Sequence, residues 1–157
     1  MNMMQRSWQM LRAFGKSPPL GTAAIEFAIG APMLLILLAG LVEVGFAVYQ
    51  SAQVHNAAEA GAMYATQNGW TSSGIVTAVT SATGASGMSA SPAPSNFCGC
   101  PAAGGITTVV CTGTCSDGTT PGQYVQVNAS LARTSIIPNS GLLLPTNMTA
   151  TSIVRIQ

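Results

Sequence analysis

From Phe27 to Val42 the chain reads FAIGAPMLLILLAGLV, sixteen positions without a charge. Extended to Ala23 and Tyr49, with Glu26 and Glu43 towards its flanks, the stretch exceeds the roughly 20 residues a helix needs to cross about 30 Å of hydrocarbon. The pattern then changes without a break into QSAQVHNAAEAGAMYATQNGW. Val54, Ala58, Ala62 and Ala65 recur at helical spacing, no proline interrupts them, and Asn68-Gly69 supplies a stop. One long helix from about Thr22 to Gln67 is expected, apolar all round in its first half and amphipathic in its second. Pro32 removes a backbone hydrogen bond and is expected to bend it.

Residues 71–96 are rich in Ser, Thr, Ala and Gly; Ile75, Val76 and Val79 predict one short helix there, before a loop that closes at Ser91-Pro92-Ala93-Pro94. Strand patterns follow at 106–111, at 124–131 and at 148–156. In the second of these, Tyr124, Gln126 and Asn128 alternate with Val125, Val127 and Ala129. Ser116-Asp117-Gly118 and Thr120-Pro121-Gly122 mark turns. The expected fold is α+β, with the long helix packed on an antiparallel sheet of about three strands, since an isolated hairpin is only marginally stable.

Charge orients this architecture. Only 6% of residues are charged and 48% are hydrophobic, too few charges to cover a soluble surface. Arg6, Arg12 and Lys16 precede the apolar run, and no acid occurs before Glu26. The positive-inside rule then puts a basic leader, residues 1–21, in the cytoplasm. Residues 22–49 form a transmembrane helix, 50–70 its exported continuation, and 71–157 a small exported domain. The rival is a secretory signal peptide cut near Ala60-Gly61-Ala62. It fits less well, because the apolar region exceeds the usual core of about 7–15 residues and that site lies far beyond its end.

The formal net charge of +1 points away from nucleic acid. Catalytic patterns are missing as well: there is no phosphate-binding glycine loop after a strand and no GxSxG. The single histidine, His55, has only Glu59 at helical spacing, which reads as a solvated helix pair. Asp117 is accounted for by turn chemistry. No enzymatic activity, cofactor or small-molecule substrate is expected.

Cys98, Cys100, Cys111 and Cys115 cluster in the part assigned to the outside, where an even number reads first as disulfides. Cys98 and Cys100 are too close to bond each other in relaxed geometry, which favours cross-pairs to Cys111 and Cys115 in either combination. A four-thiolate zinc site is the alternative, and the single residue between Cys98 and Cys100 counts against it.

Glu26 opens the apolar helix, where a carboxylate is costly unless it lies at the headgroup level or meets a cation. Its surroundings, Gly21-Thr22-Ala23-Ala24-Ile25-Glu26-Phe27, resemble the processing site of pilins and pseudopilins: glycine, four residues, glutamate, then an aromatic. More narrowly, residues 21–67 resemble the TadE-like proteins of tight-adherence (Flp-type) pilus systems. They share small residues before Glu26-Phe27, a proline-containing apolar run, Glu43 near its end, and the Asn56-Ala57-Ala58-Glu59-Ala60-Gly61 segment. The resemblance implies a bacterial inner-membrane protein whose partners are other pilins, the pilus assembly machinery and a prepilin peptidase. That peptidase would cut between Gly21 and Thr22, leaving Glu26 to neutralise a neighbour's amino terminus. Ala57, Gly61 and Ala65, four apart, would let a neighbouring subunit's helix approach closely; equally, they could hold the chain's own sheet. Alternative functions are an unprocessed single-span scaffold and an anchored exported binding domain.

Overall fold

The computed structural model describes residues 20–136 and 144–157. The greater part of the basic leader, including Arg6, Arg12 and Lys16, lies outside the described residues. Helix α1 spans Leu20–Asn68 and continues through Pro32. Chain contacts divide the protein into two compact units, one up to Val42 and one from Glu43 to Gln157.

In the first unit α1 carries its bulky side chains outward. Phe27, Leu35, Ile36 and Leu41 are among the large apolar residues left exposed. The helix is long and apolar enough to cross a membrane, and none of its most apolar stretch is buried inside the protein.

The second unit is where α1 acquires an inside face. Glu43, Ala47, Gln50, Val54, Ala57, Ala58, Gly61, Ala62 and Ala65 are buried, at steps of three and four that place them on one side of the helix. The helix stops where Gly69 turns to φ +72° and its amide donates to the Ala65 carbonyl at 2.9 Å, a glycine cap. Helix α2, Ser72–Ser81, follows and buries Ile75 and Val79 completely. Each contributes about 1.5–3 kcal/mol by leaving water.

Four antiparallel strands complete the unit: β1 (Ser95–Ala102), β2 (Gly105–Val109), β3 (Gly122–Ala132) and β4 (Asn147–Arg155), in spatial order β2-β1-β3-β4. Strand β3 is central and alternates as expected. Val125, Val127, Ala129 and Leu131 join α1, α2, Met88 and Ala150 in one core. On the opposite face, Tyr124 stacks on Phe97 at 5.7 Å, and Asn128 accepts hydrogen bonds from Gln126 and Thr151 and donates to the Pro92 carbonyl.

The sheet therefore has one more strand than expected. The unforeseen one is β1, whose sequence SNFCGCPA holds a glycine and a proline and has little strand character of its own. Pairing on both sides, to β2 at Cys98↔Val109 and to β3 at Phe97↔Tyr124, holds it extended.

Candidate functional site

The glycine–glutamate motif lies in the first turns of α1. Gly21, Glu26 and Phe27 are exposed, Phe27 at 75%, and a side chain added at Gly21 would meet nothing within 4 Å. Thr22 belongs to the same helix. Glu26 and Glu43 are seventeen residues apart, about 26 Å along a helix, close to the thickness of the hydrocarbon layer. Large apolar residues stay exposed between them and beyond, through Val44, Phe46, Val48 and Tyr49. Phe46 and Tyr49 form an aromatic pair, with ring centroids 6.4 Å apart.

Glu43 differs from Glu26 in every respect of its surroundings. It is the first buried residue of the inner stripe, and its side chain is 5% exposed. One carboxylate oxygen pairs with Arg133 Nη1, and that side chain is 3% exposed. The other oxygen accepts the backbone amide of Ile136 at 2.9 Å. Arg133 also closes the connection between β3 and β4 at its neck. Its Nε donates to the Pro145 carbonyl at 3.0 Å and its amide to the Thr146 carbonyl at 2.8 Å. A charge pair so far from water requires this many donors, because each desolvated group left unmatched costs several kcal/mol.

Sequence reasoning placed Glu43 in a motif but did not find its partner. Ninety residues separate the two. The available signal was scarcity: between Lys16 and Arg155 the chain has one basic residue, Arg133, to meet an acid at the end of an apolar helix.

Ala57, Gly61 and Ala65 pack within the second unit itself, the intrachain alternative of the two that their spacing allowed. Ala57 and Ala65 are fully buried in the core with α2 and β3. A Cβ on Gly61 would lie 2.6 Å from a Val79 methyl and 2.7 Å from a Val127 methyl. The small residues let this chain's own elements approach α1.

The four cysteines form two disulfides, Cys98–Cys111 and Cys100–Cys115, with Cα separations of 5.1 and 5.6 Å in the ordinary range. Both fasten β1 to the segment between β2 and β3. The tight turn after Cys115 is held by Asp117, whose Oδ1 accepts from the Thr119 hydroxyl at 2.7 Å and the Thr119 amide at 3.0 Å. Those bonds hold the Asp117 carboxyl below its usual range. His55 and Glu59 are both exposed on α1.

Residues 21–63 match the family model described as TadE-like protein. No curated protein and no solved structure shows a match to the chain. The matched stretch runs from Gly21 of the glycine–glutamate motif through the outward-facing apolar part of α1 to Gly61 and Ala62.

Proposed function

We propose that this protein is a minor pseudopilin-like component of a tight-adherence (Flp-type) pilus or secretion system, acting through its membrane helix rather than through catalysis. The observation that carries the reading is the TadE-like match over residues 21–63, which covers the Gly21–Phe27 motif and the lipid-suited part of one uninterrupted helix. In this reading the chain sits in a bacterial inner membrane, its leader in the cytoplasm and its disulfide-bonded domain outside, where thiols oxidise. Prepilin peptidase cuts between Gly21 and Thr22. Glu26 then meets the new amino terminus of an adjacent subunit, a group mostly cationic near neutral pH with an ordinary pKa of about 7.7–8.

Exposure of Glu26 supports its availability to such a partner, and the intrachain pairing of Glu43 supports a different, internal role for that acid. Helix contact with other pilins would use the outward face of residues 23–42, since Ala57, Gly61 and Ala65 are engaged by the chain's own core. The absence of enzymatic chemistry is part of the proposal; it is supported by the exposed, solvated positions of His55 and Glu59.

The test is the intact mass and N-terminal sequence of the protein from membranes of cells with and without prepilin peptidase. A chain beginning at Thr22 only when the peptidase is present is the expected result. Retention of Arg6, Arg12 and Lys16 in both strains would overturn the pseudopilin reading and leave the unprocessed scaffold.

A further inference from the structure

Among the described residues, Glu43, Gln50 and Asn128 are the buried polar side chains. Two of them are matched within the chain. Glu43 meets Arg133 and the Ile136 amide, and Asn128 is hydrogen-bonded to Gln126, Thr151 and the Pro92 carbonyl. Gln50 is just as hidden, at 6% exposure, yet its Oε1 has no hydrogen-bond partner in the protein. It interrupts a buried stripe that otherwise holds Ala47, Val54, Ala57 and Ala58. An apolar residue at that position would avoid the cost of a desolvated, unmatched acceptor. Packing alone therefore does not account for a glutamine there.

Gln50 lines a cleft of about 210 Å³ within the second unit. Phe46, Tyr49 and Gln53 reach it from α1, Ser86 from the turn after α2, and Thr134 from just beyond β3, and no lining residue carries a charge. Thr83, three residues before Ser86, holds a second buried side-chain oxygen without a partner, its Oγ1.

Size and chemistry narrow the occupant. One water takes roughly 30 Å³ of liquid, so a lone ordered water does not fill the cleft. Sites for larger organic ligands run to roughly 300–1,000 Å³, which leaves a single ring as the matching size. Gln50 Oε1 requires a donor, while the Gln53 amide and the Ser86 and Thr134 hydroxyls offer donors and acceptors alike. Phe46 and Tyr49 are 44% and 60% exposed, with their ring planes inclined at 56°. Aromatic faces carry negative potential and attract the C–H groups of an aliphatic ring. Without a fixed charge, the lining has nothing to select a phosphate or a carboxylate.

We propose that this cleft binds one neutral saccharide unit, with a ring hydroxyl donating to Gln50 Oε1 and the C–H face of the sugar against the Phe46–Tyr49 pair. Gln53, Ser86 and Thr134 meet the remaining hydroxyls. A peptide would present one or two donors to this many polar groups, whereas a sugar ring presents hydroxyls all round it. The unit can be free or part of a glycan polymer.

The test uses the full chain in lauryldimethylamine oxide micelles, which contain no sugar, with N-acetylglucosamine, its trimer, glucose and maltotriose as probes. Saturation-transfer NMR reads which sugar protons touch the protein, and the side-chain amide signals of Gln50 report the same contact from the protein. The expected result is transfer to the ring protons of at least one sugar, a shift of the Gln50 signals, and roughly tenfold weaker binding in Gln50→Met. Should that variant misfold, Phe46→Ala, which shortens a half-exposed ring, must weaken the same sugar. Tighter binding of a trimer than of its monomer would identify a polymeric glycan as the source, and equal binding a free or terminal sugar. No transfer to any probe, or transfer that both variants retain in full, would overturn the proposal and leave the cleft to water or to a protein side chain.

Discussion

The two parts of α1, before and after residue 43, use apolar side chains in opposite ways within one hydrogen-bonded helix. Before it, Leu, Ile, Met and Phe point outward and the helix has almost no inside. After it, alanine and glycine dominate the hidden stripe and larger residues such as Met63 are left outside. Side-chain size, more than hydrophobicity, separates the faces. A helix that packs on a sheet at close range needs small residues at the contact, whereas a helix solvated by acyl chains gains from large ones. Glu43 stands where one regime gives way to the other, and its charge is tolerable because Arg133 and Ile136 meet it.

The sharpest way to break this comparison is at that junction. Arg133→Ala leaves a buried carboxylate without its cation and should cost about 3–5 kcal/mol, measured as a fall in thermal transition of the domain. The double change Glu43→Leu with Arg133→Met should recover most of that loss, because an apolar pair of similar volume needs no desolvated charge. If the double variant is as unstable as the single, the pair contributes something beyond charge matching.

A smaller effect contrasts two glycines on the two parts of the helix. Gly61→Ala pushes a methyl against Val79 and Val127 and should destabilise the domain by about 1–3 kcal/mol. Gly40→Ala, which would meet nothing within 4 Å, should leave the thermal transition of the domain unmoved. Equal losses at both sites would mean that the outward-facing part of α1 is packed against protein as tightly as the inner part.

The smallest effect lies farthest from the junction. The Thr119 hydroxyl and amide favour the charged form of Asp117, so its folded value is lowered. Its contribution to stability is present above the ordinary carboxylate range and is lost as pH falls through the lowered value. Thr119→Val should move the Asp117 titration, followed by NMR, up towards the ordinary 3.8. An unchanged midpoint would remove the hydroxyl as its cause.

Periodicity made the long helix legible, along with α2 and the alternating faces of β3, because each rests on local repetition. Strand β1 was not legible, since Gly99 and Pro101 read as loop and only pairing on both sides extends them. Gly99 sits there for a tertiary reason: a Cβ would collide with the side chain of Ile106 across the β1–β2 pair. At the site, Gly21, Glu26 and Phe27 could be read from spacing, whereas the Glu43–Arg133 pair is created by folding between distant positions. The stripe of small residues was legible as a contact face, but the sequence left open which surface would fill it. Val79 and Val127 supply the answer from elsewhere in the chain.

The distance in sequence between Glu43 and Arg133 also sets an order of events. At about 5–20 residues per second, the 90 residues between them take on the order of 5–20 s to synthesise. During that interval the Glu43 carboxylate exists while the cation that it pairs with does not. Completion of β3 is therefore a timed step: Glu43 can find its partner only once the chain has been made as far as Arg133.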